Sequence, residues 1–474
     1  MLRSPFCVSF VLMNKNAPMT PVDRLARIKA LQPIRRRPVT ASVVECDVPP
    51  GFSPEKPAGA ERLAEILGAQ LQHNSFGEHL VLRRWFSEPV GAEVVGVQPS
   101  GILDASVLRL LLPILPSCAD DPQNWLFIDT ETTGLAGGTG TYPFLIGVAW
   151  WDAGGLEIEQ FFMREQSEEH SVLVTLAERI AKRSVIVSFN GKSFDWPLLE
   201  KRYRMTRAID PPVPRAHIDF LYPARHLWRL RLGSVRLAEL ERHILGWNRG
   251  ADVISELIPQ LYFDYLRGGP PEPLSAIFLH NQMDLRGLAG VATRVLGLLE
   301  DSETLGRDPL ELFGLSRICE RRGEAVRARN LYERSIASAL PPRADRLARR
   351  SLARLAKRDG DHTRACQLWE QLLDGSKEGL EAYEQLAIYY EHRLRRPNHA
   401  ATLVRKALAE LRRASLSGIL APSALKAWRL RFQRRLARLE PRASGILLDT
   451  PEPESKAAPA ESNREGKICQ NRIA

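Results

Sequence analysis

The chain has 474 residues, with 66 Lys and Arg against 56 Asp and Glu and a formal net charge of +10. This length predicts two or three domains, and the positive charge is compatible with a polyanionic partner without requiring one. Six cysteines without a Cys-x-x-Cys pair indicate neither a zinc site nor a disulfide framework. No apolar window reaches the roughly 18 to 20 residues that span a bilayer, so the sequence predicts no membrane span.

The first segment, 1–60, is rich in proline, lacks an apolar period and carries the basic run Arg35-Arg36-Arg37. These features predict a flexible leader. A short apolar run, Phe6 to Met13, has no convincing small-residue cleavage site after it, so we do not expect export. With its unpaired cysteines, the chain is expected to be cytoplasmic.

The next segment, 61–120, contains a helical pattern from Arg62 to Leu71. Strand-like pieces follow at Glu78 to Phe86 and Ala92 to Val97. This order predicts an N-terminal appendage, or an extra hairpin on the domain that follows.

Residues 121–300 alternate between strand and helix patterns. Short apolar runs predict strands, and the amphipathic segment Glu168 to Ala181 predicts a helix. Three strands precede this helix and one follows it, an order typical of an α/β domain with a mixed central sheet. The strand candidates are Trp125 to Asp129, Phe144 to Trp151, Leu156 to Met163 and Val185 to Phe189.

Beyond residue 305 the strand patterns stop, and 305–440 reads as an all-α domain with an internal repeat. Residues 315–323 align with 352–360 at an offset of 37 residues, and a weaker third copy includes Leu386. Helix-turn-helix units with a period in this range resemble tetratricopeptide (TPR) repeats. An unrelated helical bundle is the alternative explanation.

The end of the helical region is basic. Residues 401–440 hold ten Lys and Arg against two Glu, and the last helical segment, 423–439, is dense in arginine. Such a face could contact nucleic acid, although solvated basic faces are commoner. The polar tail, 441–474, is rich in Pro, Glu and Ala and predicts disorder.

Two acidic residues, Asp129 and Glu131, end the apolar run Leu126 to Ile128. Residues two apart on a strand point to the same face, so these carboxylates converge and need a cation or a shared proton between them. Hard oxygen ligands of this kind suit Mg²⁺ or Mn²⁺, which usually serve phosphate chemistry. Considered alone, a strand running into a polar turn explains the pair more simply.

A two-metal phosphodiesterase needs further carboxylates and a base. Asp195 follows the strand-ending segment Phe189 to Gly191 at the start of a predicted helix, where helix capping would explain it equally well. His280 and Asp284 lie four residues apart and therefore share a helix face. Histidine can take a proton from water near neutral pH while the carboxylate holds a metal, although a surface pair also explains this spacing.

Taken in chain order, these acidic residues and His280 resemble the three motifs of DEDD-type 3′ to 5′ exonucleases. The closer resemblance is to the YprB-type RNase H-like domain family, predicted exonucleases, several of which occur with tetratricopeptide repeats. It covers residues 121–300 and implies an RNase H-like fold for that domain. The segments that carry the resemblance are Asp129 to Val148, Phe189 to Asp195, His217 to Arg225 and His280 to Asp284.

The resemblance also implies roles for individual residues. Asp129, Glu131 and Asp284 are expected to ligate one of two Mg²⁺ or Mn²⁺ ions, the one that polarises the attacking water. Asp129 also bridges to the second ion at the leaving 3′ oxygen, Asp195 holds a water ligand of a metal, and His280 is the general base. The residues expected to contact the terminal nucleotide are Thr132, Thr133, Gly134, Leu135 and Asn190.

Three further features bear on the resemblance. Asp219 matches an acidic position that recurs after the second motif in these nucleases. An auxiliary role at the site and a purely structural role both explain an acidic residue there. His280 precedes Asp284 by four residues, as in the YprB-type pattern, whereas the His-containing DEDD enzymes have a gap of five. The glycine loop from Gly134 to Thr141 lacks the Gly-Lys-Ser/Thr ending of a P-loop, so nucleoside triphosphate hydrolysis is not expected.

The leading hypothesis is therefore a hydrolase, a metal-dependent 3′ to 5′ exonuclease acting on DNA or RNA. Its TPR-like repeats would recruit a protein partner or the substrate. One alternative is a catalytically weak adaptor that keeps the nuclease fold and binds a protein partner through the repeats, although four intact carboxylates disfavour it. A structure-selective endonuclease that uses the same site is the other.

Overall fold

The computed structural model describes residues 60–443 except 88–101, 113, 135–139, 153, 301–307 and 419. All of these residues belong to one compact unit, which begins at Glu55. The leader, the strand-like piece at Ala92 to Val97 and almost all of the C-terminal tail lie outside the described residues. None of the described helices is both long and apolar enough to cross a membrane.

The described residues form seven strands: β1 (Gln70–Asn74), β2 (Gly77–Phe86), β3 (Trp125–Thr132), β4 (Pro143–Asp152), β5 (Gly155–Phe162), β6 (Val185–Ser188) and β7 (Ala216–Asp219). They make one sheet in the order β1-β2-β5-β4-β3-β6-β7. The pairs from β1 through β3 in this order are antiparallel, whereas β3, β6 and β7 run parallel. The α/β class with a mixed sheet, followed by a helical region, is thereby confirmed.

The α-helices of this part are α1 (Ala60–Leu67), α2 (Ala105–Leu111), α3 (Glu169–Lys182), α4 (Asp195–Thr206), α5 (Leu221–Leu227), α6 (Arg229–Leu232), α7 (Leu237–His243), α8 (Ile258–Leu266) and α9 (Leu274–Glu300). Alternate residues of β3 face opposite sides of the sheet. Trp125 and Phe127 share a core with the second half of α9, whereas Leu126 and Ile128 share a core with α3 and α8. The 27-residue helix α9 is buried along most of its length.

One prediction about a single element was wrong. The helix predicted to reach Leu71 ends at Leu67, because Gly68 has a φ of 63° and reverses the chain in the left-handed region that glycine adopts without strain. The chain then enters β1, which forms a hairpin with β2, and β2 extends the central sheet by pairing with β5. Strand β7 has four residues and was not predicted as a strand.

The C-terminal part is helical, with α10 (Pro309–Arg322), α11 (Ala325–Ala337), α12 (Pro342–Arg358), α13 (His362–Glu370), α14 (Lys377–His392), α15 (Pro397–Leu416) and α16 (Pro422–Ala443). Residues that match at the 37-residue offset have the same environment. Tyr332 and Trp369 are both buried, and Gly323 and Gly360, which follow the first helix of each unit, have φ values of 86° and 85°. The repeat in the sequence thus corresponds to a repeat of helices, whose assignment as tetratricopeptide repeats stays a prediction.

The basic helix near the end of the chain is partly neutralised by its neighbour. Arg431 of α16 lies 2.6 Å from Glu384 of α14. Arg435 and Arg438 both pair with Glu391 of α14, at 2.7 and 3.0 Å. These arginines therefore join two helices.

The helical part is packed directly onto the α/β part through α10. Glu311, whose side chain is 3% exposed, accepts hydrogen bonds from Trp228 Nε1 at 2.8 Å and Arg294 Nη2 at 3.4 Å. At Gly314, an added Cβ would lie 2.5 Å from the carbonyl oxygen of His226, so α10 approaches the α5 backbone more closely than a side chain would permit. One hydrophobic core runs from Trp125 through α9 into the helical repeats.

Candidate metal centre

The end of β3 carries the first two acidic residues. Asp129 is paired across the antiparallel ladder with Gly147 of β4, and the register shifts at Glu131 and Thr132. Both carboxylates are half-buried. The two side chains share one face of the strand, as their spacing predicted.

Asp195 reaches the same end of the sheet from the first residue of α4. Thr130 Oγ1 donates a hydrogen bond to Asp195 Oδ1 at 2.5 Å. Because Thr130 lies between Asp129 and Glu131 on β3, this bond ties the start of α4 to the acidic strand end.

Helix α9 supplies the other side of the site. His280 Nε2 lies 3.6 Å from Asp284 Oδ2 on its own helix and 4.0 Å from Glu131 Oε1 on β3. Glu131, His280 and Asp284 each offer a ligand atom, and these atoms lie within 4.8 Å of one another. The residues predicted from three separate segments thus meet at one end of the sheet.

A row of hydrogen bonds across the sheet orients Asp129. Gln160 of β5, Gly147 of β4 and Asp129 of β3 are cross-strand partners in one line, and Asn281 of α9 lies over them. Gln160 Nε2 donates to Asn281 Oδ1 at 2.7 Å, and Asn281 Nδ2 donates to Asp129 Oδ2 at 2.8 Å. Gln282 Nε2 donates to Gln160 Oε1 at 2.7 Å. Gln160 therefore presents its amide oxygen to Gln282 and its NH₂ group to Asn281.

Gly147 makes this arrangement possible. A Cβ at that position would lie 2.1 Å from Asn281 Oδ1 and 2.8 Å from Leu285 Cδ1. Both contacts are far below van der Waals distance, so only glycine lets α9 approach the sheet this closely.

The carboxylates repel one another. Burial and the charges of Asp284 and Asp195 raise the pKa of Asp129 well above its usual range. Burial, then the charge of Asp129, does the same to the pKa of Glu131. Burial also raises the pKa of Asp195 to about 6, although the hydrogen bond from Thr130 works in the opposite direction.

Arg249, in the loop after α7, is a functional candidate that sequence reasoning missed. It donates a hydrogen bond to Asp284 Oδ1, forms a two-pronged ion pair with the buried Glu241, and lies 3.1 Å from Asp252. Glu241 packs against Gly287 of α9, where a Cβ would lie 1.7 Å from its Oε1. Only the short Arg-x-x-Asp spacing hints at this cluster, because its other members come from distant helices.

Asp252 was missed for the same reason. Its Oδ1 lies 2.7 Å from His280 Nδ1. Burial by itself raises the pKa of Asp252. The hydrogen bond and charge of His280, together with those of Arg249, outweigh burial and hold this pKa below its usual value. An ionised Asp252 accepts a hydrogen bond from the Nδ1–H group of His280, so Nε2 is the ring nitrogen that lies beside Glu131 and Asp284.

Thr132, Thr133 and Gly134 follow Glu131 at the same end of the sheet. Thr132 Oγ1 donates to Gly134 O at 3.2 Å, and the Thr133 N–H donates to Tyr142 O at 3.1 Å, which closes the start of the glycine loop. Leu135 lies outside the described residues.

Asp219, at the end of β7, organises the turn before α4. Its carboxylate accepts backbone N–H groups from Asn190 at 2.8 Å, Leu221 at 3.0 Å and Lys192 at 3.2 Å. Asn190 itself has a φ of 71°, in the left-handed region that asparagine tolerates. Asp219 thus holds the loop that leads to Asp195.

The donor set fits divalent cations. Carboxylates from three elements lie beside the imidazole of His280, and the pKa values of Asp129, Glu131 and Asp195 are raised by burial and by neighbouring negative charge, both of which a bound cation would offset. Oxygen-rich sets of this kind suit Mg²⁺ or Mn²⁺.

A comparison with protein families agrees with this geometry. Residues 126–296 match the model of the RNase_H superfamily. The α/β fold of this part of the chain is similar to that of RNase H-like domains. This relationship indicates a nucleic-acid hydrolase, and nucleases of this fold usually use divalent metals. The match includes β3, α4 and α9, the three elements that carry the acidic residues.

Two individual proteins are similar to this chain. The "Uncharacterized protein YprB" of Bacillus subtilis (strain 168) is 28% identical over 291 residues, which cover 61% of this chain and 70% of that protein. The solved structure of the family B DNA polymerase from the archaeon Pyrobaculum calidifontis is 16% identical, with a TM-score of 0.30. The overlap with the polymerase covers 42% of this chain and 29% of that chain.

The close approach at Gly147 can be tested with Gly147→Ala. We expect the added methyl group to displace Asn281 and to weaken Mn²⁺ binding about tenfold or more, at a cost of about 1 to 3 kcal/mol in the free energy of unfolding. Calorimetric Mn²⁺ titration and urea denaturation measure the two effects. Gly140→Ala is the control, since a Cβ there would meet nothing within 4 Å. Unchanged Mn²⁺ affinity in Gly147→Ala would contradict this role for glycine.

The raised pKa of Asp195 predicts a pH effect on the metal-free protein. A folded-state pKa near 6, above the unfolded value of 3.8, gives stability that is present at low pH and lost as pH rises through about 6. Asp195→Asn removes this dependence while keeping an oxygen that can accept from Thr130. The stability of the variant relative to wild type should therefore increase by about 1 kcal/mol from pH 5 to pH 7.

Urea denaturation with a chelator present, at both pH values, measures this difference. A gap between variant and wild type that stays constant from pH 5 to pH 7 would show that Asp195 titrates normally in the folded protein.

Proposed function

We propose that this chain is a metal-dependent 3′ to 5′ exonuclease that hydrolyses phosphodiester bonds of nucleic acid with two divalent cations. The observation that carries the proposal is that Glu131, His280 and Asp284 offer ligand atoms within 4.8 Å of one another, with Asp129 on the same face of β3 as Glu131 and Asp195 bonded to Thr130 between them. A site used only for binding a protein partner has no need of mutually repelling carboxylates.

The four carboxylates would hold the cations. Bound divalent cations would polarise the attacking water and stabilise negative charge on the leaving 3′ oxygen. Asn281 donates its hydrogen bond to only one carboxylate oxygen of Asp129, Oδ2. This bond therefore holds the Asp129 carboxylate in one orientation. The bond from Thr130 does the same for Asp195.

His280 accepts the proton of the attacking water at Nε2. Asp252 keeps the other ring nitrogen protonated and stabilises the imidazolium once the proton has moved, as a carboxylate does for a catalytic histidine in other hydrolases. Water attacks phosphorus, the bond from phosphorus to the 3′ oxygen breaks, and the products are a nucleoside 5′-monophosphate and a strand shortened by one residue.

Arg249 supplies positive charge beside Asp284. The ion pair with the buried Glu241 fixes the Arg249 guanidinium, which therefore stays buried beside the acidic residues. We infer that Arg249 limits the repulsion among the carboxylates before the cations bind and orients Asp284 afterwards.

The direct test uses purified protein, Mg²⁺ or Mn²⁺, and 5′-labelled DNA and RNA oligonucleotides, single-stranded and duplex. We expect products that shorten one nucleotide at a time, and an activity at least about 10³-fold lower in Asp129→Ala, since a metal ligand is lost. Asp152→Ala, which removes an exposed carboxylate at the end of β4, should retain full activity.

The products discriminate the alternatives. Internal fragments from the outset would indicate an endonuclease that uses the same site. Absence of metal-dependent digestion of every DNA and RNA substrate would refute catalysis and favour an adaptor.

A second test concerns the Asp252–His280 pair. Asp252→Asn keeps an acceptor for His280 Nδ1 but removes the charge, so we expect a rate about 10- to 100-fold lower with a smaller change in Mn²⁺ affinity. The acidic limb of the pH–rate profile should move to lower pH, because an imidazolium without the neighbouring carboxylate is less favoured. Asp264→Asn, at an exposed position on α8, is the control. An unchanged profile would argue against His280 as the base.

A further inference from the structure

Two cavities lie beside α10 and share Arg321. The first, of about 380 Å³, lies beside the carboxyl ends of β6 and β7, and its lining includes Lys192, Tyr222 and Arg321. The second, of about 560 Å³, lies between α10 and α12, and its lining includes Arg317, Arg321 and Arg343. We call the surface formed by Lys192, Arg317, Arg321 and Arg343 the basic cleft.

The charges of the basic cleft lack carboxylate partners. Within the described part of the chain, none of its four cations forms an ion pair with a carboxylate. Neighbouring arginines of α12 behave differently, since Arg346 pairs with Asp374 and Arg350 with Glu381. The guanidinium groups of the cleft are thus available for an anion.

Two carboxylates, Asp219 and Glu320, also line the cavities, and Glu320 accepts a hydrogen bond from the Tyr332 hydroxyl at 2.6 Å. Arg321 Nη1 lies 2.6 Å from His226 Nε2. Burial and the charges of Arg321 and Arg317 lower the pKa of His226 to about 4, so this histidine is neutral at pH 7 and serves as an acceptor. Asp219, which also lines the first cavity, accepts three backbone N–H groups.

The first cavity of the basic cleft lies at the same edge of the sheet as the acid centre, as we call Asp129, Glu131, Asp195, His280 and Asp284, because β3, β6 and β7 are parallel neighbours. Lys192 lies in the turn between β6 and α4, three residues before Asp195. Arg317 and Arg321 are four residues apart on α10 and share one face, so the positive charge extends from the first cavity to the second. The Tyr222 side chain, 47% exposed in the first cavity, offers a ring on which a base can stack.

We propose that the basic cleft binds the sugar–phosphate backbone of the nucleic-acid strand whose 3′ end enters the acid centre. This inference rests on the proposed function and gives α10 and α12 of the helical part a role in holding substrate. A row of cations next to a phosphodiesterase centre, with an aromatic ring between them, matches a single strand better than it matches an acidic peptide, which needs no such proximity.

Binding is measured by fluorescence anisotropy with a labelled single-stranded DNA and RNA, with a chelator present so that cleavage cannot occur. Arg317→Glu with Arg321→Glu should weaken binding about tenfold or more and make the dependence on salt concentration shallower, because phosphate contacts are lost. Arg317→Gln with Arg321→Gln should have a smaller effect in the same direction. Arg364→Glu, an exposed arginine on α13, removes one cation elsewhere and should bind as wild type.

Circular dichroism and thermal unfolding establish that each variant is folded. Wild-type affinity and salt dependence in both double variants, or no binding of single strands by the wild type, would overturn the inference. A short acidic peptide that binds the wild type with higher affinity and is lost in the double variants would also overturn it and identify a protein partner instead.

The outcome separates this inference from the proposed function. If wild type digests nothing but binds strands through the basic cleft, exonuclease activity fails and the binding site stands. If the double variants digest and bind like wild type, the function stands and the basic cleft is not the strand site.

Discussion

The close packing of α9 on β3 and β4 is the constraint on which the acid centre depends. Because Gly147 has no side chain, Asn281 reaches across β4 and bonds to the carboxylate of Asp129. Asn281 lies next to His280 and three residues before Asp284, so one contact between helix and sheet positions both of them. Packing in the core and chemistry at the site are therefore coupled: a helix displaced by the thickness of a methyl group would separate the two halves of the centre.

Charge is the second constraint. Four carboxylates at one end of a sheet are unfavourable, and the chain offsets the cost only in part, through the guanidinium of Arg249 and the hydrogen bonds from Thr130 and Asn281. Burial and the residual repulsion together raise the pKa values of Asp129 and Glu131. A divalent cation relieves that repulsion, and part of its binding free energy would come from doing so. The same electrostatic strain that lowers the stability of the metal-free protein thus favours metal binding.

Local periodicity made the centre largely predictable. The two-residue period of a strand paired Asp129 with Glu131, and the i, i+4 spacing of a helix paired His280 with Asp284. Asp252 and Arg249 could not be found this way, because each acts through partners from elements distant in sequence, such as Glu241 on α7. Two features of short elements were also not predicted. The four residues of β7 are too few to show a strand pattern. At the end of α1, the apolar period continues past Gly68, where the helix stops.

The helical part is more than an attached module, because α10 belongs to both halves of the molecule. Its Glu311 is bonded to Trp228 and Arg294, and its Gly314 rests on the backbone of α5. Arg317 and Arg321 follow on the same helix. Since a shared hydrophobic core fixes α10 against α9, the distance from the basic cleft to the acid centre is set by packing. A strand held in the cleft would then enter the acid centre with the same register each time, which suits removal of one nucleotide per cycle from an end.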